Sequence, residues 1–291
     1  MNTTALILWQ SHLQAIPADR RSSLLRSISP ELAKKLQELP TLAVGKQLKV
    51  ETPEEELSKI HFSWLAPFLR SLPENEIKLF VSSLTPEQIQ GLKQSLLLTN
   101  SLPSPSAMGS QYLKRTLYEA IPDIEDLLPS SYLPEDPLND LLELTREELD
   151  SLIDLLSMHD LSVEIRHIIE TTKLKEIYNL LSKAQTTFLK TLLHKKEPVS
   201  FKKMGLLSWK GDREQLMHML LQRGINRIAK SLYGKNPSLL WHIAHRLDVD
   251  KGQLLMKLCS SLDHPRASSL LADQVAELIH ALKSHNPAKN L

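Results

Sequence analysis

Phe68-Leu69-Arg70-Ser71-Leu72-Pro73, with Ser83-Leu84-Thr85-Pro86-Glu87 beginning ten residues past its proline, repeats a pattern that occurs 56 residues earlier. The earlier copy reads His12-Leu13-Gln14-Ala15-Ile16-Pro17 and Ser27-Ile28-Ser29-Pro30-Glu31. The apolar positions keep register without a gap: Leu24 with Phe80, Leu25 with Val81, Ala33 with Ile89 and Leu36 with Leu92. Ala33 and Leu36, like Ile89 and Leu92, stand three residues apart, as neighbours on one face of an amphipathic helix do. A hydroxyl residue followed by Pro and Glu is a helix start, with the hydroxyl as N-cap, proline at the first helical position and an acid in the first turn. A helical unit duplicated in this way buries its apolar face by stacking, and stacking builds a surface for partners more readily than a catalytic pocket.

The first unit reads as three helices. One is capped by Thr3 or Thr4 and runs through Leu13; a second opens at Pro17 and Asp19; a third starts at Ser29-Pro30 and stops before Pro40, which cannot continue a helix. Residues 41–52 form a connection to Thr52-Pro53-Glu54-Glu55, the cap of the second unit. Its helices are expected around 57–72, with a kink or split at Pro67, from 74 to 83, and from 85 to about 98. The Pro- and Ser-rich run at 100–106 reads as a linker. A short helix is expected over 109–119, and the four prolines of 121–138 point to irregular chain.

Weaker copies of the motif follow. Tyr132-Leu133-Pro134 and Leu144-Thr145-Arg146-Glu147-Glu148-Leu149 make a degenerate third, and Leu181-Ser182-Lys183-Ala184 a fourth, with Leu189 seven residues after Ser182 as Leu92 is after Thr85. From 199 onward the pattern changes. The spacing predicts one helix over 212–233 with Met217, Leu221, Ile225, Ile228 and Leu232 inward and Gly224 weakening its middle. Others are expected from Asn236 or Ser238 to His245, from Asp248 or Asp250 to about 261, and from His264-Pro265 to about 284, with a frayed tail over 286–291.

Composition fits an all-α chain: 291 residues hold only 8 glycines, and aromatics make up 5%. Cys259 is the single cysteine, which excludes an internal disulfide and fits a reducing cytosol; its apolar neighbours suggest a small buried hydrophobe. The first ten residues lack the features of a signal peptide, and no apolar run reaches the ~20 residues a membrane span needs. A cytoplasmic location follows as the expectation, with membrane association only through partners.

The net charge of +1 conceals a split. Residues 1–160 carry a net −9 and residues 161–291 a net +10; 119–160 alone holds 13 acids and one base, Arg146, whereas 161–235 holds 15 bases and 6 acids. Such asymmetry points to intramolecular complementarity or to two faces for different partners. Arg223, Arg227 and Lys230 fall at i, i+4 and i+7 and are expected to form one basic stripe opposite the apolar face of the 212–233 helix, with Leu216 and Leu220 continuing it. Lys202 and Lys203 lie just upstream, as do Lys195 and Lys196. These residues are the candidate partner-binding set. Aromatics suited to base stacking are limited to Trp209 and Tyr233 nearby, so a protein partner is favoured over nucleic acid. Trp9, Trp64, Trp209 and Trp241 read as core anchors.

Catalytic signatures are absent from the sequence. There is no Gly-rich phosphate loop, no Gly-x-Ser-x-Gly elbow, and nothing near Cys259 that would activate a thiol. His242, His245 and Asp248 at i, i+3 and i+6 lack the glutamate and the four-residue spacing of a zincin helix, so packing and capping are the preferred reading. The chain is expected to be no enzyme, with no catalytic residue, no metal and no cofactor.

The run Leu69-x-x-Leu72-Pro73-x-x-x-Ile77-x-x-x-Val81-x-x-Leu84-Thr85-Pro86-Glu87-x-Ile89-x-x-Leu92 resembles the armadillo-like helical repeats of the flagellar motor switch protein family FliG. The copy at 13–36 resembles them too, and 144–192 does so more loosely. The C-terminal half, with Gln222-Arg223-Gly224-Ile225-Asn226-Arg227, is similar to type III secretion locus proteins of chlamydial type. The Glu-His-Pro-Gln sequence and charged torque helix of FliG have no match here. What the resemblance implies is a bacterial scaffold or adaptor at the cytosolic base of a type III secretion apparatus, partnered by other secretion-apparatus proteins and capable of self-association. The expected fold is all-α, with helical-repeat, armadillo-like units in two domains. Residues 1–99 hold two duplicated three-helix units, 100–108 the linker, 109–198 an acidic segment with degenerate repeats, and 199–291 a C-terminal helical domain. The other class left open is a nucleic-acid-binding regulator using 195–230; a secreted effector, or a chaperone for one, is a third.

Overall fold

The computed structural model describes Leu6, Trp9, Gln10, Leu13 and residues 16–38, 51–98, 101–122, 124, 127–262 and 266–284. Among these residues the chain is helical and contains no strand. The α-helices are α1 (Ala18–Ser27), α2 (Pro30–Glu38), α3 (Pro53–Lys59), α4 (Phe62–Arg70), α5 (Glu74–Ser82), α6 (Pro86–Ser95) and α7 (Ala107–Glu119). After two 3-10 helices, Ser130–Tyr132 and Pro137–Glu143, come α8 (Arg146–Ile165), α9 (Thr171–Leu180) and α10 (Lys183–Leu193). A 3-10 turn at Leu206–Ser208 precedes α11 (Arg213–Ser231), α12 (Pro237–Arg246), α13 (Val249–Leu258) and α14 (Ala267–Ser284). Among the described residues no helix is long and apolar enough to cross a membrane.

The hydroxyl junctions start helices as their chemistry dictates. Thr52, Thr85, Thr145 and Ser182 each form a capping box, their side chains accepting from the backbone N–H three residues on while Glu55, Gln88, Glu148 and Gln185 reach back. Ser29 accepts from Leu32 N at 3.4 Å. Seven residues after Ser29, Thr85, Thr145 and Ser182 stand Leu36, Leu92, Leu152 and Leu189, all buried. Leu84, Leu144 and Leu181, each just before its cap, are buried as well. The apolar residue before the cap and the leucine two turns into the helix thus clamp each junction onto its core.

Two compact units share the chain. The first comprises Met1–Asn139 and Asn236–Val249; the second comprises Asp140–Lys235 and Asp250–Leu291. Residues 101–108 lie within the first. That unit has a core of Leu57, Leu65, Leu69, Val81, Leu92, Leu117 and Trp241, the last contributed by α12 from far along the sequence. Helix α12 and the turn that follows it are held at several points. His61 N donates to the His245 carbonyl at 2.8 Å, Trp64 Nε1 to the Leu247 carbonyl at 3.0 Å, and Val249 N to Ser63 Oγ at 2.8 Å.

The helix expected over 57–72 is split, but at Ile60-His61 and not at Pro67. Ile60 is extended and His61 caps α4 through Nδ1, accepting from Ser63 N at 3.2 Å, while Pro67 sits inside α4. Gln88 explains the chosen break: its buried amide donates to the Leu57 and Ile60 carbonyls at 2.9 and 2.8 Å, satisfying the end of α3. Trp209 and Trp241 are buried and Trp64 is partly so, but Trp9 is 43% exposed and is no core anchor. Cys259 is only half-buried, and burial pushes its thiol up despite the opposing charge of Lys230. The start of the first helix at Thr3 or Thr4, most of 41–52, the His264-Pro265 opening and the 286–291 tail lie outside the described residues.

In the second unit α8 is the central element, packed against α11, α10 and α14. Its C-terminal half is buried almost all round, including His159, Asp160 and Glu164 among leucines and isoleucines. Gly224 on α11 lies directly against the Ile153 carbonyl of α8; a Cβ there would overlap that carbonyl. Its role is close helix approach, which the expectation of a weakened helix middle did not anticipate.

Candidate functional site

Arg227 sits at the centre of a buried polar cluster in the second unit. Helix α11 carries it, α8 supplies His159 and Asp160, the connection after α10 supplies Glu197 and Val199, and α14 supplies Gln274. Glu197 precedes Pro198, which favours an extended backbone at that position. The connection is pinned from several sides. The Glu164 carboxylate accepts from Met204 N and, at 3.1 Å, from Leu206 N; Arg166 Nη2 donates to the Leu192 carbonyl at 2.8 Å; Arg223 Nη2 donates to the Lys202 carbonyl at 2.6 Å.

Arg227 is 0% exposed, and each of its N–H groups has a partner. Nη2 donates to Asp160 Oδ1 at 2.8 Å and to the Val199 carbonyl at 3.1 Å, and Nε to Asp160 Oδ2 at 3.3 Å. Nη1 donates to Glu197 Oε1 at 3.0 Å and to Gln274 Oε1 at 2.8 Å. The Phe201 ring lies under the guanidinium, 5.5 Å from its centroid. A buried charge is tolerated only when paired and hydrogen-bonded to this degree.

Glu197 is the second hub. Gln274 Nε2 donates to its Oε1 at 2.8 Å and His159 Nδ1 meets its Oε2 at 2.7 Å. Burial pushes the Glu197 carboxyl up, but the His159 hydrogen bond, the Arg227 charge and the Gln274 amide outweigh it and bring the carboxyl down to about 2. The carboxylate is therefore ionised at neutral pH and accepts from His159 Nδ1. Phe188 meets the imidazole edge-on at 5.5 Å. Beside this network opens a cavity of about 220 Å³, lined by the buried His159, the partly buried Glu197 and Gln274, and the exposed Lys195, Lys196 and Glu277.

The residues expected to form one basic stripe separate. Lys202 and Lys203 are exposed, and Arg223 and Lys230 are partly buried. Lys230 Nζ donates to Ser260 Oγ at 2.6 Å and to its carbonyl at 3.1 Å. Arg227 is a correction: it lies inside the molecule and cannot meet a partner. The reason is that Leu216, Leu220, Gly224, Arg227 and Ser231, spaced by four, four, three and four, are all buried and form a seam on α11. The glycine lets α8 approach, and Asp160 on α8 neutralises the arginine.

His242 and His245 serve packing in the first unit. His242 Nε2 donates to the Leu128 carbonyl at 2.8 Å, with Nδ1 3.5 Å from Glu56 Oε2; His245 Nδ1 donates to the Trp241 carbonyl at 2.9 Å and its ring stacks on Trp241 at 3.8 Å. Among the described residues no group of three or more His, Cys, Asp or Glu is placed to hold a metal ion. The cluster of His159, Asp160, Glu197 and Gln274 was not foreseen from the sequence, because its members come from segments 30 to 77 residues apart wherever they bond. No family model, curated protein or solved structure matches this chain.

Proposed function

We propose that the chain is a non-enzymatic scaffold or adaptor that docks other proteins through stacked, armadillo-like helical repeats in two domains. Its setting is the one the resemblance implies, the cytosolic platform of a type III secretion apparatus. The observation that carries this reading is the recurring junction. Four capped helix starts, each with an apolar residue before the cap and a buried leucine seven residues after it, are what a repeated stacking unit requires. The lysines exposed near the α10–α11 connection, Lys195, Lys196, Lys202, Lys203 and Lys210, supply a basic surface for an acidic partner.

The test is affinity purification of the full chain from its native cell, beside the double variant Lys202→Glu, Lys203→Glu. Secretion-apparatus components are expected with the unaltered chain and reduced at least about tenfold with the variant, since opposed like charges cost more than a kcal/mol at a docked interface. Equal recovery removes these lysines as the contact, and recovery of no secretion component removes the setting. A salt-dependent shift of DNA or RNA by the same protein would move the reading to a nucleic-acid regulator. Reversal at Arg227 is not a surface test, because an unpaired buried charge costs about 3–5 kcal/mol of fold stability.

A further inference from the structure

The cavity beside Glu197 has features that fold stability does not need. Its inner part holds an imidazole, 7% exposed, whose Nδ1 is committed to Glu197 while no hydrogen bond among the described residues is made to Nε2. With Nδ1 engaged by Glu197, Nε2 is the ring atom left to exchange a hydrogen bond with a hydroxyl group, which can both donate and accept. The Glu197 carboxylate is already occupied on both oxygens by Arg227, Gln274 and His159, so it orients the imidazole and offers little to a ligand. Apolar wall is supplied by Phe188, Leu192 and Leu278.

Charge at the exposed part is mixed in a specific way. Lys195 and Lys196 come from the connection after α10, and Glu277 from α14. Cations on one element and an anion on another match a ligand carrying both signs. The volume, about 220 Å³, is below the range of drug-sized sites and suits one compact molecule.

We infer that this cavity binds a small zwitterion with an apolar body, of the class of a free aromatic amino acid. Its carboxylate meets Lys195 and Lys196, its ammonium meets Glu277, its ring rests on Phe188 and Leu192, and a ring hydroxyl hydrogen-bonds His159 Nε2. The assignment does not rest on the scaffold reading and survives its failure.

Calorimetric titration of the full chain with L-tyrosine, L-phenylalanine, N-acetyl-L-phenylalanine and L-phenylalaninamide tests it. Saturable binding of tyrosine is expected with Kd between about 10 μM and 1 mM, tighter than phenylalanine by several-fold for the added hydrogen bond. The acetylated and amidated probes each lose one charge and are expected to bind about tenfold more weakly than phenylalanine. Three variants of exposed lining residues leave the buried network untouched. Lys195→Ala with Lys196→Ala is expected to erase the difference between phenylalanine and its amide, Glu277→Gln the difference between phenylalanine and its acetyl form, and Ala281→Phe to fill the cavity and abolish binding. No saturable heat with tyrosine or phenylalanine overturns the inference, as does undiminished binding to Ala281→Phe. Equal binding of all four probes overturns the zwitterion assignment.

Discussion

Arg227 carries a full charge at zero exposure, and its spacing along α11 was legible in the sequence while its direction was not. Periodicity places Arg223, Arg227 and Lys230 along one side of a helix, but it does not say whether that side meets water or another helix. The deciding partner, Asp160, lies 67 residues away, and nothing local marks it. His159 and Glu197 were hidden for the same reason, since a Met-His-Asp run inside a helix buried on nearly all sides breaks no pattern. Glu197 gives the cluster a measurable signature. Its carboxyl ionises at about 2 in the folded chain against 4.5 ordinarily, so the stability it contributes is complete above about 4.5 and is lost as the pH falls from there toward 2. Urea midpoints measured between neutral and acid pH should fall more steeply in the unaltered protein than in Glu197→Gln across that window. Parallel slopes would mean that the carboxylate is not held as described.

At the scale of elements, the helix starts were the most legible feature, because a cap is a local device. Thr52, Thr85, Thr145 and Ser182 all cap through the side chains the sequence singles out, including the weaker later copies. The break in 57–72 was misplaced because proline is a local signal and Gln88, which satisfies the true break, lies on another helix. Gly224 reverses sign between the two levels. Helix propensity alone says that Gly224→Ala stabilises by about 1 kcal/mol. The contact with the Ile153 carbonyl says that the added methyl forces α8 and α11 apart, at a net cost of about 1–3 kcal/mol. Thermal or urea denaturation of Gly224→Ala decides between them, and a stabilised variant would show that the seam tolerates separation.

At the scale of the whole molecule, the first unit is completed by a helix that follows most of the second in sequence. A polypeptide of residues 1–139 lacks α12, and with it Trp241 from the core and the carbonyl acceptors for His61 and Trp64. Expressed alone, it is expected to expose apolar surface, read as enhanced binding of a hydrophobic dye and loss of a cooperative thermal transition. Joining residues 236–249 to it through a flexible linker should restore both. A fragment that melts cooperatively without that addition would show that α12 is dispensable. Sequence order conceals this arrangement, because the echo at 12–36 and 68–92 suggests a domain closed within the first hundred residues.

The same discontinuity sets how the protein responds to cutting. The chain passes between its units after Asn139, after Lys235 and after Val249. A single nick at the first crossing yields two pieces, one of which still carries the helix that finishes the other's core. The nicked molecule therefore stays together in native electrophoresis and separates only in denaturant. A protease that reaches one exposed loop leaves a clipped but assembled particle, whereas freeing either unit takes cuts at all three crossings.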